Sequence, residues 1–418
     1  MFALLASTFL SVPALASDIT VINGNDSGPG SLRDALNVAN PGDTIVFASN
    51  VTNVNLTTNL AITKPVTINA TLVTLNLGGT TWTQNFNVFL NGGTIQNGIV
   101  AGPGGLTTAG AVTLSGTNTY SGGTTIIGGT TSIASDNNLG ATTGGLGFGG
   151  GTLQTTATMS SARSIALNSG GGTFMPNSGT SLTLGGTVSG SGGLTMGGAG
   201  TLILAGANTY SGGTFLNAGT LAVVDGGALG SGGLIVAGGT TLQAISGSGG
   251  GAPAPGPGGA APLALAVPPT PTISNAITLL GGVFTVDTQT NVLALSGPIS
   301  GAGGLTKIGT GVLILNGANS YSGGTTVTAG SLQGKTTSLQ GNIVNNAFVV
   351  FNQSGAGTYA GNMSGTGTVT FQGGVTYTLS GVNSYSGGTA VLASTLVGNT
   401  TSLQGNILNN GAVVFNQL

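Results

Sequence analysis

The sequence predicts an all-β protein, a parallel β-helix (solenoid) of stacked coils behind a short N-terminal capping helix, and three observations carry that expectation. The kernel Asn-(Thr/Ser)-Tyr-Ser-Gly-Gly-Thr occurs four times, with its tyrosines at Tyr120, Tyr210, Tyr321 and Tyr385. Around the kernels run strands of apolar residues, such as Val312-Leu-Ile-Leu315, joined by glycine-rich turns; one such unit cannot bury its own apolar face and has to stack on a copy of itself. Glycine supplies 82 of 418 residues, far above the usual share of about 7 %. Charged residues make up only 3 %, against about 25 % in ordinary globular domains. Turns consume the glycines, alternate strand residues point into a dry interior, and Ser, Thr and Asn are left for the outside.

In chain order, residues 1–16 have the pattern of a secretory signal. An apolar stretch from Phe2 to Leu10 is broken by Pro13 and followed by Ala14-Leu15-Ala16, and the small residues at the last and third-last positions place cleavage between Ala16 and Ser17. The apolar run is too short to span a bilayer.

Residues 17–47 form the N-terminal cap. Ser31 is placed to N-cap a helix, with Asp34 favoured at its positive end. Leu32, Ala35 and Leu36 give it an apolar face, and Pro41-Gly42 ends it. Such a helix plugs the open end of the core, where the first coil otherwise presents unpaired strand edges. Residues 48–246 and 272–418 are the two β-helix parts. The tyrosine intervals are 90, 111 and 64 residues, and Thr336-Thr-Ser-Leu-Gln-Gly-Asn-Ile-Val-Asn-Asn346 returns 64 residues later as Thr400 to Asn410, so a 64-residue block is duplicated. At roughly 21 residues per coil the block is about three coils. The whole stack is then about 18 coils, on the order of 85 Å. The 111-residue interval is long because it contains the Gly/Pro-rich segment 247–271, which is unsuited to a central strand and reads as a loop out of the solenoid or a linker between its halves.

The kernel residues Tyr120, Gly122, Gly123, Tyr210, Gly212, Gly213, Tyr321, Gly323, Gly324, Tyr385, Gly387 and Gly388 are expected to be structural. A tyrosine ring can stack on a sugar, but beside Gly-Gly a packed turn residue is the stronger reading. Trp82, Phe86 and Phe89 are expected to fill a widened early core. Asn345, Asn346, Asn409 and Asn410 are candidates for a side-chain amide ladder. Lys64, Arg163, Lys307 and Lys335 are expected at solvated positions.

No His, Cys or Glu is present, which removes Ser-His-Asp and Cys-His nucleophiles and most transition-metal sites. Asp26, Asp34 and Asp43 lie near Arg33, and paired carboxylates can hydrolyse glycosides or hold calcium. They fall in the cap and its turns, where Asp is an ordinary capping residue. Asp136, Asp225 and Asp287 are dispersed. No aspartate follows the Gly-Gly-x-Gly-x-Asp rhythm of calcium-binding rolls. No catalytic residue, cofactor or metal site is expected, and with a net charge of −2 no nucleic-acid partner is expected either.

The kernel, its preceding strand and the following Ala218-Gly-Thr-Leu221 resemble the passenger-associated strand repeat of bacterial autotransporters over about residues 101–418, with looser copies at Gly105 to Val112 and at the C-terminal end. The opening from Asp18 to Phe47 is similar to that of many bacterial surface β-helix proteins. The resemblance implies a right-handed parallel β-helix, export from a Gram-negative cell, and a surface or extracellular location. It also implies an adhesin-like, non-enzymatic stalk that meets host, matrix or glycan surfaces or copies of itself. The family's C-terminal translocator barrel is expected to be missing from this chain, which stops inside a repeat, so any outer-membrane attachment runs through a barrel not present in it. The alternatives are a polysaccharide-degrading β-helix enzyme, a secreted structural solenoid without a barrel, and, last, an ice-binding-type surface with ranks of Thr-x-Thr.

Overall fold

The computed structural model describes residues 16–245 and 271–416. The chain folds into two compact units, one comprising residues 1–133 with 137–144 and the other 134–136 with 145–418. The predicted signal segment up to residue 15, and the Gly/Pro-rich segment except Pro271, lie outside the described residues.

In the first unit, strand Asp18–Val21 pairs in parallel with Thr44–Phe47, and the ladder continues through Val66–Asn69 to later coils. Because side chains alternate along a strand, one register position lines the interior. Ile45, Ile68, Leu90, Thr108 and Ile126 stack rung upon rung and are fully buried. The one polar rung, Thr108, is satisfied by the Thr131 hydroxyl at 2.7 Å. A second column runs Val54, Leu75, Ile95, Leu114, and a third runs Leu60, Trp82, Val100.

Helix Leu32–Val38 covers the start of this unit, with Leu32, Ala35 and Leu36 buried. Ser31 Oγ accepts from Asp34 N at 3.2 Å, and the Asp34 carboxylate reaches back to Gly30 N at 2.8 Å, so two N-terminal donors are satisfied. At the other end the Lys64 ammonium donates to the carbonyls of Asn37 and Ala39, where a cation also suits the helix dipole.

The second unit contains a 10-stranded parallel sheet running from Met159–Ser161 to Met363–Ser364. Its inward column reads Leu182, Leu202, Leu221, Leu242, Val286, Lys307, Val327, Asn345, and every member is buried to 0 % exposure. Strands Leu234–Val236 and Thr240–Ala244 pair directly with Ile277–Leu279 and Val283–Asp287, so the strands on either side of residues 246–270 are neighbours in one stack.

Three expectations are corrected. Lys307 and Arg163 are buried rather than solvated, at 0 % and 2 % exposure. Trp82 does fill the core, but Phe86 lies exposed in a turn, and Phe89 points outward because Val88 and Leu90 on either side of it point in. The clearest amide ladder is in the first unit: Asn97 Nδ2 donates to Asn76 Oδ1 and Asn76 Nδ2 to Asn55 Oδ1, each at 3.0 Å and 21 residues apart. Asn345 is instead an interior residue bonding the Thr368 carbonyl at 3.0 Å.

Candidate functional site

The four kernels fold alike. Each tyrosine is buried, with Tyr120, Tyr210, Tyr321 and Tyr385 at 0 %, 0 %, 3 % and 1 % exposure. Each phenol hydroxyl meets the hydroxyl of the threonine four residues on, Tyr120–Thr124 and Tyr321–Thr325 at 2.7 Å, Tyr210–Thr214 and Tyr385–Thr389 at 2.6 Å. The threonine occupies an inward rung between apolar residues, as Thr214 does between Leu194 and Leu234. Its β-branched body packs there like valine while its hydroxyl pairs the otherwise unsatisfied phenol. Burial pushes the Tyr210 phenol up to about 12, against a smaller lowering by its bond to Thr214, and likewise raises Tyr321 and Tyr385. No ring face of these tyrosines is open to a sugar.

The kernel asparagine is the larger device, and it is missing from the sequence-derived set of motif residues. Asn208 Oδ1 accepts from Val188 N at 2.8 Å, 20 residues back, while its Nδ2 donates to Ala228 O at 2.7 Å, 20 residues ahead. Asn118 bridges Val100 N and Asn138 O, Asn319 bridges Ile299 N and Ser338 O, and Asn383 bridges Met363 N and Ser402 O. One buried amide thus ties its own coil to the coils before and behind. Its invariance among the four kernels was the available signal.

The two glycines serve different needs. At Gly122, Gly212 and Gly323 a Cβ would lie 2.4 Å from backbone of the preceding coil, and at Gly387 2.5 Å, so the position demands close backbone approach. Gly123, Gly213, Gly324 and Gly388 have φ between 76° and 88°, the left-handed region that penalises any side chain.

Most of the charged residues are committed to the frame. Asp26 accepts from Thr58 Oγ1 at 2.7 Å, Thr57 N at 3.0 Å and Arg33 at 3.0 Å; burial pushes its carboxyl up, and these bonds outweigh that and hold it at about 2. Asp43 accepts from Ser17 N and Asn40 N, and these backbone donors lower it. Asp34 is spent on Gly30, as described. Asp26, Asp34 and Asp43 therefore act separately, on separate donors. In the second unit Arg163 Nε pairs with Asp136 Oδ1 at 3.0 Å.

Lys307 stands in the inward column, its Nζ donating to Ile308 O at 2.8 Å, Gly309 O at 2.7 Å and Ala329 O at 3.1 Å. Burial pulls its ammonium down to about 8, partly countered by the Asp287 carboxylate. Burial pushes Asp287 up, but hydrogen bonds from Gln243 and Gln289, with the field of Lys307, leave it below the usual range. Among the described residues no group of three or more acidic side chains is placed to hold a metal ion, and no helix is long and apolar enough to cross a membrane.

What the coils and kernels define is a parallel β-solenoid whose repeated residues serve coil stacking. Three stretches, residues 109–133, 194–223 and 305–333, match the passenger-associated-transport-repeat family. Over 173 residues, 40 % of this chain, the sequence is 32 % identical to the adhesin BmaC autotransporter of Brucella suis biovar 1 (strain 1330). The chain spans about 4 % of that relative's length. No solved structure matches the chain. The chain carries three copies of the passenger-associated-transport repeat.

Proposed function

We propose that this chain is the exported, surface-displayed part of a Gram-negative autotransporter and works as a non-catalytic, adhesin-like stalk or scaffold. The observation that carries the reading is the kernel asparagine, which spends a buried amide on tying three coils together at four places. Such clamps make a stiff support rather than a reactive cleft. Outward strand positions present hydroxyls and amides, as in the first-unit row Asn53, Thr74, Thr94, Thr113. A low-charge face of this kind suits contact with host, matrix or glycan surfaces, or with other copies of the chain. The similarity to an autotransporter named as an adhesin supports the same reading.

The test is to join the whole chain to a translocator barrel in a non-adherent Gram-negative host, then score adherence to matrix- and glycan-coated surfaces and settling of the cells. The barrel alone is the control. Gain in either measure is expected; a displayed chain that adheres and settles no better than the barrel alone would overturn the proposal.

A further inference from the structure

Strand Asp18–Val21 starts one residue after Ser17, whose backbone nitrogen donates to Asp43 Oδ1 at 2.9 Å. The other oxygen of Asp43 accepts from Asn40 N at 2.7 Å. Asp43 is 2 % exposed, and the turn around it is latched on both sides, Asp43 N to Asn40 O at 3.1 Å and Thr44 N to Ser17 O at 2.9 Å. This carboxylate has no cationic partner: among the described residues the ion pairs are Arg33–Asp26 and Arg163–Asp136, and the Lys64 ammonium is directed at the Asn37 and Ala39 carbonyls. Two neutral backbone N–H groups hold this anion, and among the described residues no cation neutralises it. Ala16 and Ser17 are themselves exposed, so the bond between them lies at the molecular edge.

We propose that the counter-charge is the α-ammonium of Ser17, created when the Ala16–Ser17 peptide bond is hydrolysed, so that leader removal completes the N-terminal cap. Water adds across that bond: its oxygen goes to the Ala16 carbonyl carbon, which leaves as a carboxylate, and the Ser17 nitrogen keeps the bonding electron pair and takes up both of the water's protons to become an ammonium. The donor already aimed at Asp43 then becomes a cationic one with further N–H groups. A charge-assisted hydrogen bond replaces a neutral one, at a place where the first strand and the turn after the helix are joined. Before cleavage the same contact is an ordinary amide bond. The cap of the uncleaved chain is correspondingly looser. The inference rests on the export reading above.

Two measurements test it. N-terminal sequencing of the full chain exported from a Gram-negative host is expected to find Ser17 first. Separately, chains beginning at Ser17 with a free amine, at Ser17 with an acetylated amine, and at Ala16 are unfolded in urea. The fluorescence of Trp82, the single tryptophan, reports on the first unit. The free-amine chain is expected to have an unfolding equilibrium constant about fivefold smaller than the other two. In Asp43→Asn chains that difference should vanish. The acetylated chain keeps Asp43 and the N–H donor, so the comparison holds even where Asp43→Asn folds poorly. Equal urea curves for free and acetylated Ser17 overturn the ion pair. An exported product that begins elsewhere overturns the processing site and leaves export standing; a chain retained uncleaved in the cytoplasm counts against export itself, and the urea comparison of purified chains still decides the pair.

Discussion

Lys307 stacks directly on Val286 in the interior of the second unit, so an ammonium occupies a rung that leucine or valine fills in most neighbouring coils. The corresponding residue of the preceding kernel unit is Met196, also fully buried. Three backbone carbonyls take up the donors of Lys307, which is how a charge survives in such a place.

This predicts an unusual alkaline response. The folded lysine titrates at about 8, below its ordinary value of 10.5. Below pH 8 it is charged in both states and the burial penalty is present in full. As pH rises from 8 toward 10 the folded state loses its proton first, so the unfolded state binds more protons and stability increases. Above pH 10 the raised kernel tyrosines act the other way, because they ionise more readily unfolded. Urea midpoints should therefore rise between pH 7 and 10 and turn over at pH 11, and Lys307→Met should remove the rise. A flat profile in the wild-type chain would contradict the buried ammonium.

The tyrosine and threonine of a kernel should be unequal to mutation. Tyr210→Phe removes the phenol hydroxyl and leaves Thr214 Oγ1 its longer bond to Leu229 O at 3.4 Å, costing about 1 kcal/mol. Thr214→Val leaves a buried phenol without its partner, and the expected cost is higher, about 1–3 kcal/mol. The double variant should cost less than the sum of the two, by a coupling of about 1 kcal/mol in a double-mutant cycle. Strict additivity would mean that the two hydroxyls do not depend on each other.

Removing a clamp should be worse than either. Asn208→Ala strands Val188 N and Ala228 O inside the solenoid, and a loss of about 2–4 kcal/mol is expected. Asn208→Asp keeps an acceptor for Val188 N but cannot donate to Ala228 O, and it buries a charge. Amide hydrogen exchange at Val188 should accelerate strongly in Asn208→Ala and much less in Asn208→Asp variants that remain folded.

Much of the architecture is legible in the sequence because stacked coils reuse one local rule. Ser31, Leu32, Ala35 and Leu36 announce the capping helix through spacing alone, and the duplicated 64-residue block announces that the coils repeat. The inward position of Lys307 was within reach of the same rule: Leu305 points in, and two residues further along a strand lies the same face. Residue type, a lysine in a chain nearly free of charge, argued for solvent and was outweighed by register. Arg163 offered no such signal, since its burial depends on Asp136, 27 residues away, arriving beside it. The asparagine clamp was written in every kernel, but its two bonds run to coils on opposite sides, and no local pattern displays both.

Across the span 246–270 the register is kept: Gln243 reaches Asp287, 44 residues on, where Asn208 reaches its neighbouring coils at 20. The ladder resumes at the next rung as though the intervening residues had not been added. Closing a longer excursion costs only a logarithmic term in length. The position after strand Thr240–Ala244 is therefore a splice point, where new sequence can be grafted, lost or exchanged over generations while the stack on either side goes on folding by its old instructions.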